Sequence, residues 1–348
     1  MSTTPEAGGT APPARPRGFA VGNATRVFRH RNFRLWFVGQ TISLAGTWMQ
    51  QVAQGWLVLI LTDDPFLLGI TVAAQFTPVL ALGLFGRIVA DALPKRPTMI
   101  ATQAAQMVLA FVLFGLVATD AVALWHVLIL AVLLGVVNAV DMPVRQVFTI
   151  EMVGREDVSS AIGINSATFN GARIVGPAVA GLVIGAFDIG VAFLANGLSF
   201  LAVLLALFAM REAELLPSPR VAAPRTVAEV RTSLAEGLRY VRRAEVVLVA
   251  TFVVGFVSMF GMNFAVLVPA YARDVLGVDA AGFGFLMAAS GVGSLVAALA
   301  IAFSGRSRAV MIGIGAGGLG LPGTAAGLAA PYPPAPGARG PAGCRGAP

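Results

Sequence analysis

The stretch LWFVGQTISLAGTWMQQVAQGWLVLILT, residues 35–62, contains no charged side chain. A helix rises about 1.5 Å per residue, so about 20 residues cross a hydrocarbon core about 30 Å thick. The run is long enough to span a membrane, and the same reading repeats outward from it. Uncharged windows follow at 65–86, 97–119, 121–140, 189–210, 246–272 and 280–305, and another at 158–187 is broken only by Arg173. The pattern predicts an all-α integral membrane protein with about eight transmembrane helices.

Composition agrees. Apolar residues make up 57 % of the 348 and charged residues 12 %, too few charges to cover a water-soluble globule of this size. A single cysteine, Cys344, and two histidines, His30 and His126, exclude a disulfide scaffold and a Cys/His metal site. No P-loop, Ser/His/Asp triad or other catalytic constellation is present, so neither an enzyme nor a cofactor is expected. His126 reads as an interfacial residue beside Trp125. The first 34 residues are rich in Pro, Ala and Arg without an apolar core, so no cleavable signal peptide is expected.

The sign of the charge alternates between loops. The N-terminal tail, 87–96, 141–157, 211–245 and 306–308 together hold 20 Lys and Arg. The opposite set, Asp63–Asp64, Asp120, Asp188 and 273–279, holds one, Arg273, against six acids. The positive-inside rule places the basic set, and with it the N-terminus, in the cytoplasm of a cell-membrane protein. The net charge of +7 follows from this asymmetry. Nucleic acid is not an expected partner, because the arginines flank spans and form no single basic face.

Five segments are expected: a tail at 1–34, a six-helix half at 35–210, a linker at 211–245, two helices of a second half at 246–305 and a degenerate or disordered tail at 306–348. In the linker, Thr226 and Glu229 form a T-x-x-E capping box ahead of Val227, Val230, Leu234, Leu238 and Val241 at helical spacing. This reads as an amphipathic helix on the membrane surface or a plain solvated one. The order span, acidic turn, span, basic loop occurs around 35–96 and again around 246–308, suggesting parallel repeats. In 316–348, Gly, Ala and Pro supply 25 of 33 residues, as in an out-of-frame GC-rich reading or a natural low-complexity tail.

Polar residues inside the spans mark candidate sites. At 100° per residue Gln40, Thr47, Gln51 and Gln54 fall in one narrow arc of the first span, which suits a cavity wall. Gln75, Asn138, Asn165 and Asn263 are further candidates, with interhelical hydrogen bonding as the alternative for each. Arg173 is the one charge in the interior of a span, near its middle. A charge there needs water or a partner, so it binds an anionic substrate group or clamps a neighbouring helix. No Asp or Glu lies at mid-span. Asp141, which with Arg145 closes the fourth span, and Asp63 and Asp64 are the nearest carboxylates.

Three stretches then carry a resemblance: FRLWFVGQTISLAGTWMQ at 33–50, NAVDMPVRQ at 138–146 and ARIVGPAVAG at 172–181. In this order, over about 28–308, the chain resembles the major facilitator superfamily, in its enterobactin-exporter-like and drug-efflux branch. The resemblance implies that fold, with the first six-helix half complete and the second incomplete. It also implies a secondary active exporter, an antiporter that moves drug-like or siderophore-like molecules by alternating access, with protons as a possible coupling ion. The rival expectation is a non-transporting fragment of such a protein.

Where the superfamily carries Gly-x-x-x-Asp-Arg-x-Gly-Arg-Arg, a latch between halves, this chain has RIVADALPKR at 87–96. Asp91, Lys95 and Arg96 match, while Arg87, Ala92 and Pro94 depart from the pattern. The exporter motif Gly-x-x-x-Gly-Pro-x-x-Gly-Gly is matched by Gly176, Pro177 and Gly181, with Ala172 and Ala180 at two glycine positions. Small residues permit close helix approach and proline permits a bend.

Overall fold

The computed structural model describes residues 25–216 and scattered positions from 239 to 286. The linker helix after Thr226, Asn263 and the tail 306–348 lie outside the described residues, as do most of 246–272 and 280–305.

A 3-10 turn, Thr25–Arg29, leads into α1, Arg31–Thr62, α2, Pro65–Ala92, and α3, Lys95–Ala118. The next element, Leu124–Ala186, is 63 residues long and is broken at Gly154, whose φ of 76° lies in the left-handed region. Its limbs are α4, 124–153, and α5, 155–186. Then α6 runs Ile189–Ala209, followed by a 3-10 turn at Glu212–Glu214. No strand occurs among the described residues.

The acidic turns are helix boundaries with a mechanism. Asp63 adopts φ 53° and its N–H donates to the Leu59 carbonyl, closing α1. Asp64 Oδ1 accepts from the Phe66 N–H at 2.8 Å beside Pro65, the first residue of α2. Asp188 Oδ1 accepts from the Gly190 N–H at 2.6 Å and caps α6. His126 Nδ1 accepts from the Ala123 N–H at 3.1 Å at the start of α4, and its ring stacks on Trp125.

One expected boundary is corrected. The loop expected over 141–157 is helical up to Gly154. Val144, Phe148 and Met152 recur at fourfold spacing and are fully or almost fully buried. Burial of that stripe keeps the charged segment helical. Only Gly154, where a side chain would be strained, turns the chain.

The six helices form one bundle with two apolar layers. At the end that carries the basic residues, Val27, Phe33, Trp36, Met99, Phe148 and Phe200 pack together. At the acidic end, Met49, Leu57, Leu59, Leu68, Leu113 and Phe193 do so. Glycines bring the helices close. A Cβ on Gly135 of α4 would meet Pro78 Cδ of α2 at 3.1 Å, and one on Gly39 of α1 would meet the Ala202 carbonyl oxygen of α6 at 2.8 Å. Outside the bundle, Leu80, Leu205 and Phe208 are 83 %, 67 % and 61 % exposed, as expected for surfaces solvated by lipid. Among the described residues, Pro65–Gly83, α3, Leu124–Ala186 and α6 are long and apolar enough to cross a membrane. The first span is not in that set, because Gln40, Gln50, Gln51 and Gln54 dilute it.

Candidate functional site

The densest polar centre lies at the basic end, where α1, α3 and α4 meet. Asp141 is 1 % exposed. Its Oδ1 accepts from Thr102 Oγ1 at 2.7 Å and from Gln103 Nε2 at 2.8 Å. Its Oδ2 accepts from Arg145 Nε at 3.1 Å, and from a terminal nitrogen of the same guanidinium. The i,i+4 spacing on α4 places the two charges on one face. The guanidinium lies 5.7 Å from the ring centre of Trp36, which meets Phe148 edge-on. Trp36 Nε1, Gln40 Oε1, Gln103 Oε1 and Gln106 Nε2 are buried with no hydrogen-bond partner among the described residues. A buried carboxylate is thus paired with a part-exposed guanidinium. Asp141 and Arg145 were visible in the sequence. Thr102, Gln103 and Gln106 are not among the residues that the sequence singles out, although three polar residues at spacings of one and three in an uncharged span share one helix face.

The arc on α1 divides along the helix. Gln40 is buried in the basic-end layer, whereas Thr47 and Gln51 are exposed. Gln51, Gln54 and Gln75 line a small pocket between α1 and α2, with Thr71 and Phe76. Thr47 Oγ1 donates to the Ser43 carbonyl at 2.9 Å. The first of these residues is thus inside the bundle, and the other three reach its open side. Gln50, outside the arc, makes the contact that sequence reasoning missed: Asn196 Nδ2 donates to its Oε1 at 2.6 Å across the α1–α6 seam at Gly46. Asn138 is half-buried. Asn165 Nδ2 donates to Thr149 Oγ1 at 3.3 Å and ties α5 to α4.

Arg173 sits half-buried on α5, one turn before Gly176, and its guanidinium makes no hydrogen bond or ion pair among the described residues. On the same helix Gly176, Pro177 and Gly181 are buried. A Cβ on Gly176 would stand 2.8 Å from the Ala45 carbonyl oxygen and 3.1 Å from the Met49 nitrogen, so the backbones of α1 and α5 touch there. Phe169 and Trp48 meet edge-on alongside, their ring centres 5.4 Å apart.

In the 87–96 stretch, Asp91 lies in the last turn of α2. Lys95 is buried and donates to the Leu93 carbonyl at 2.8 Å. Arg96 turns to α6: it donates to the Leu207 and Phe208 carbonyls at 2.8 and 3.2 Å and pairs with Glu212. A cation on the open carbonyls of a helix C-terminus stabilises it. The Arg96 guanidinium is therefore engaged inside the six-helix unit.

A second charged cluster, absent from the sequence reading, straps the N-terminal turn to the Gly154 corner. Asp157 has a side chain 5 % exposed; Arg29 lies 2.9 Å, His30 3.0 Å and Arg26 3.6 Å from its carboxylate. Burial pushes this carboxyl up, but the His30 hydrogen bond and the Arg29 and Arg26 charges outweigh it and hold the group below its ordinary value. A lowered value contributes stability that is present above the ordinary carboxylate range and lost as pH falls through the folded-state value. The thermal stability of the detergent-purified protein is thus expected to drop at acid pH. Asp157→Asn should lower stability at neutral pH and flatten that acid limb; an unchanged acid limb would assign it to other carboxylates.

A family described as transmembrane secretion effector matches residues 23–311. The staphyloferrin A transporter of Staphylococcus aureus is 27 % identical over 176 residues, covering 50 % of this chain and 44 % of that protein. An uncharacterised MFS-type transporter of Bacillus subtilis, YfiS, is 27 % identical over 274 residues, covering 77 % of this chain and 62 % of that protein. The chain spans about half the length of the first relative and under two thirds of the second.

Proposed function

The chain belongs to the transmembrane secretion effector family of major facilitator transporters, multi-pass membrane proteins and not enzymes, and from that membership we propose that it exports small, anionic, siderophore-like molecules across the cell membrane. Export proceeds by alternating access, with the six-helix half at 35–210 rocking against a second half whose first helices are 246–305. The drug-like alternative differs only in substrate charge, and Arg173 favours the anion.

The observation that carries this reading is the guanidinium of Arg173, unpaired among the described residues. A permanent charge at mid-span is tolerated where water or an anion meets it. Thr47, Gln51, Gln54 and Gln75 supply neutral donors on the open side of the same half, and Asn138 is a further contact. The seam at Gly176 and Pro177, with Gly181 on the same helix, is where α5 bends against α1. Asp91 serves as the latch between halves, with Lys95 beside it, because Arg96 is engaged with α6. Coupling is to protons, with Asp141, which pairs with Arg145, as the candidate coupling carboxylate.

Arg173→Ala is expected to abolish export of an anionic siderophore at unchanged membrane abundance, and Arg173→Lys to weaken it, since an ammonium lacks the planar fork. Efflux per folded molecule reads this out. A collapse in abundance would make Arg173 a structural clamp, and unaltered efflux would remove it from the site.

The basic end faces the cytoplasm in this scheme. In a Cys344→Ser background, an impermeant thiol reagent added to whole cells should label Ala121→Cys and spare Glu156→Cys. The reverse pattern would invert the protein.

A further inference from the structure

We propose that the groove between the first turns of α1 and the last turns of α6 binds one anionic phospholipid, its headgroup phosphate held by Arg31 and Arg34. The groove has a volume of about 490 Å³ and opens on the outer surface of the bundle. Its floor exists because Gly39 lets the two backbones touch; Ala202 and Ala206 continue the floor with small side chains. Its walls are Val38, 57 % exposed, and Leu205, 67 % exposed. Such a trough offers hydrocarbon contacts and no polar side chain along its length with which to hold a water-soluble ligand.

Its rim is different. Arg31 is fixed there by donating to the Ala209 carbonyl at 3.0 Å. Arg34 is exposed and its guanidinium makes no hydrogen bond or ion pair among the described residues. The C-terminus of α6 would by itself repel an anion. Its last carbonyls are already taken by Arg31 and Arg96, and Asn32 Nδ2 holds the Arg211 carbonyl at 2.9 Å. The nearby carboxylates are neutralised too, Glu212 by Arg96 and Glu214 by Arg211. Two guanidiniums above an apolar trough match a ligand that is anionic at one end and hydrocarbon at the other. Basic pockets between spans at the headgroup level recognise lipids in this way. A second copy of the chain would have to present an acidic group above an apolar ridge. The acidic turns Asp63–Asp64, Asp120 and Asp188 lie at the opposite end of the bundle.

The test uses the full chain purified in detergent, with native mass spectrometry counting bound phosphatidylglycerol and phosphatidylcholine at equal concentration. Phosphatidylglycerol should be retained preferentially with a stoichiometry of one. Arg34→Gln, an exposed change that leaves the fold intact, should weaken its retention about fivefold while leaving phosphatidylcholine unaffected. Ala202→Phe, which fills the floor, should displace both lipids. Equal retention of the two lipids by the unaltered protein would overturn the proposal, as would undiminished phosphatidylglycerol binding by Arg34→Gln. Competition by glycerol phosphate at the same concentration would also overturn it, since the site would then recognise a soluble anion.

Discussion

Replacing Asp141 with alanine should destabilise the six-helix unit by about 1–3 kcal/mol, the usual cost of leaving buried donors without their acceptor. Arg145 would keep its charge under Trp36, and Thr102 and Gln103 would lose their acceptor. Loss of membrane abundance and a large fall in melting temperature in detergent measure this. Asp141→Asn separates stability from coupling. Its amide still offers an oxygen to Thr102 and Gln103, so it should fold far better than the alanine variant. It cannot exchange a proton, so export driven by a pH gradient should fail while substrate-gradient exchange persists. Gradient-driven export by Asp141→Asn at the unaltered rate would exclude Asp141 as the coupling group. An alanine variant as stable as the unaltered protein would show that the Asp141 network contributes nothing.

The second large effect is expected at Gly176. Valine there would drive its Cβ into the Ala45 carbonyl and the Met49 nitrogen, backbone atoms that cannot rotate away. Overpacking of this kind costs about 1–3 kcal/mol, and here it would also separate α5 from α1 at the seam assigned to bending. Gly171, on the same helix, supplies the internal comparison, since a Cβ there would meet nothing within 4 Å. Gly171→Ala should be neutral or raise stability by up to about 1 kcal/mol through helix propensity. Thermal unfolding of the two variants decides the matter. Equal behaviour would mean that the α1–α5 contact is loose enough to absorb a side chain.

Much of this arrangement is legible in the residues because it concerns single elements. An uncharged run of 20 or more residues leaves the backbone no partner in lipid except its own helix, so the spans follow from composition. The acidic turns cap the helices they separate, as short carboxylates do wherever a chain reverses. The resemblance carried by 33–50, 138–146 and 172–181 points to the family that the whole stretch 23–311 matches. Arg173 and Asp141 are conspicuous because charge in or near an apolar span has few explanations.

Tertiary packing decided what those residues meet, and periodicity on one helix cannot supply that. Gln40 and Gln51 lie within about 20° of each other on α1, yet one is buried while the other is exposed, because neighbouring helices cover that face of α1 at the basic end and not further along. Helical angle describes a direction; burial depends on whether a neighbour occupies it at that height. Thr102 and Gln103 joined Asp141 only because α3 crosses α4 there, and Arg96 turned from loop to cap only because α6 ends beside it. Asp157 reads as one more charge in a basic loop. The Gly154 corner brings it against Arg26, Arg29 and His30, more than 125 residues away in sequence, and that encounter makes it a strap. The sequence determined which segments enter the membrane and which ends carry charge, since both depend on local transfer free energies. Which charges pair, which amides are sealed and where two backbones touch were decided by the meeting of distant helices.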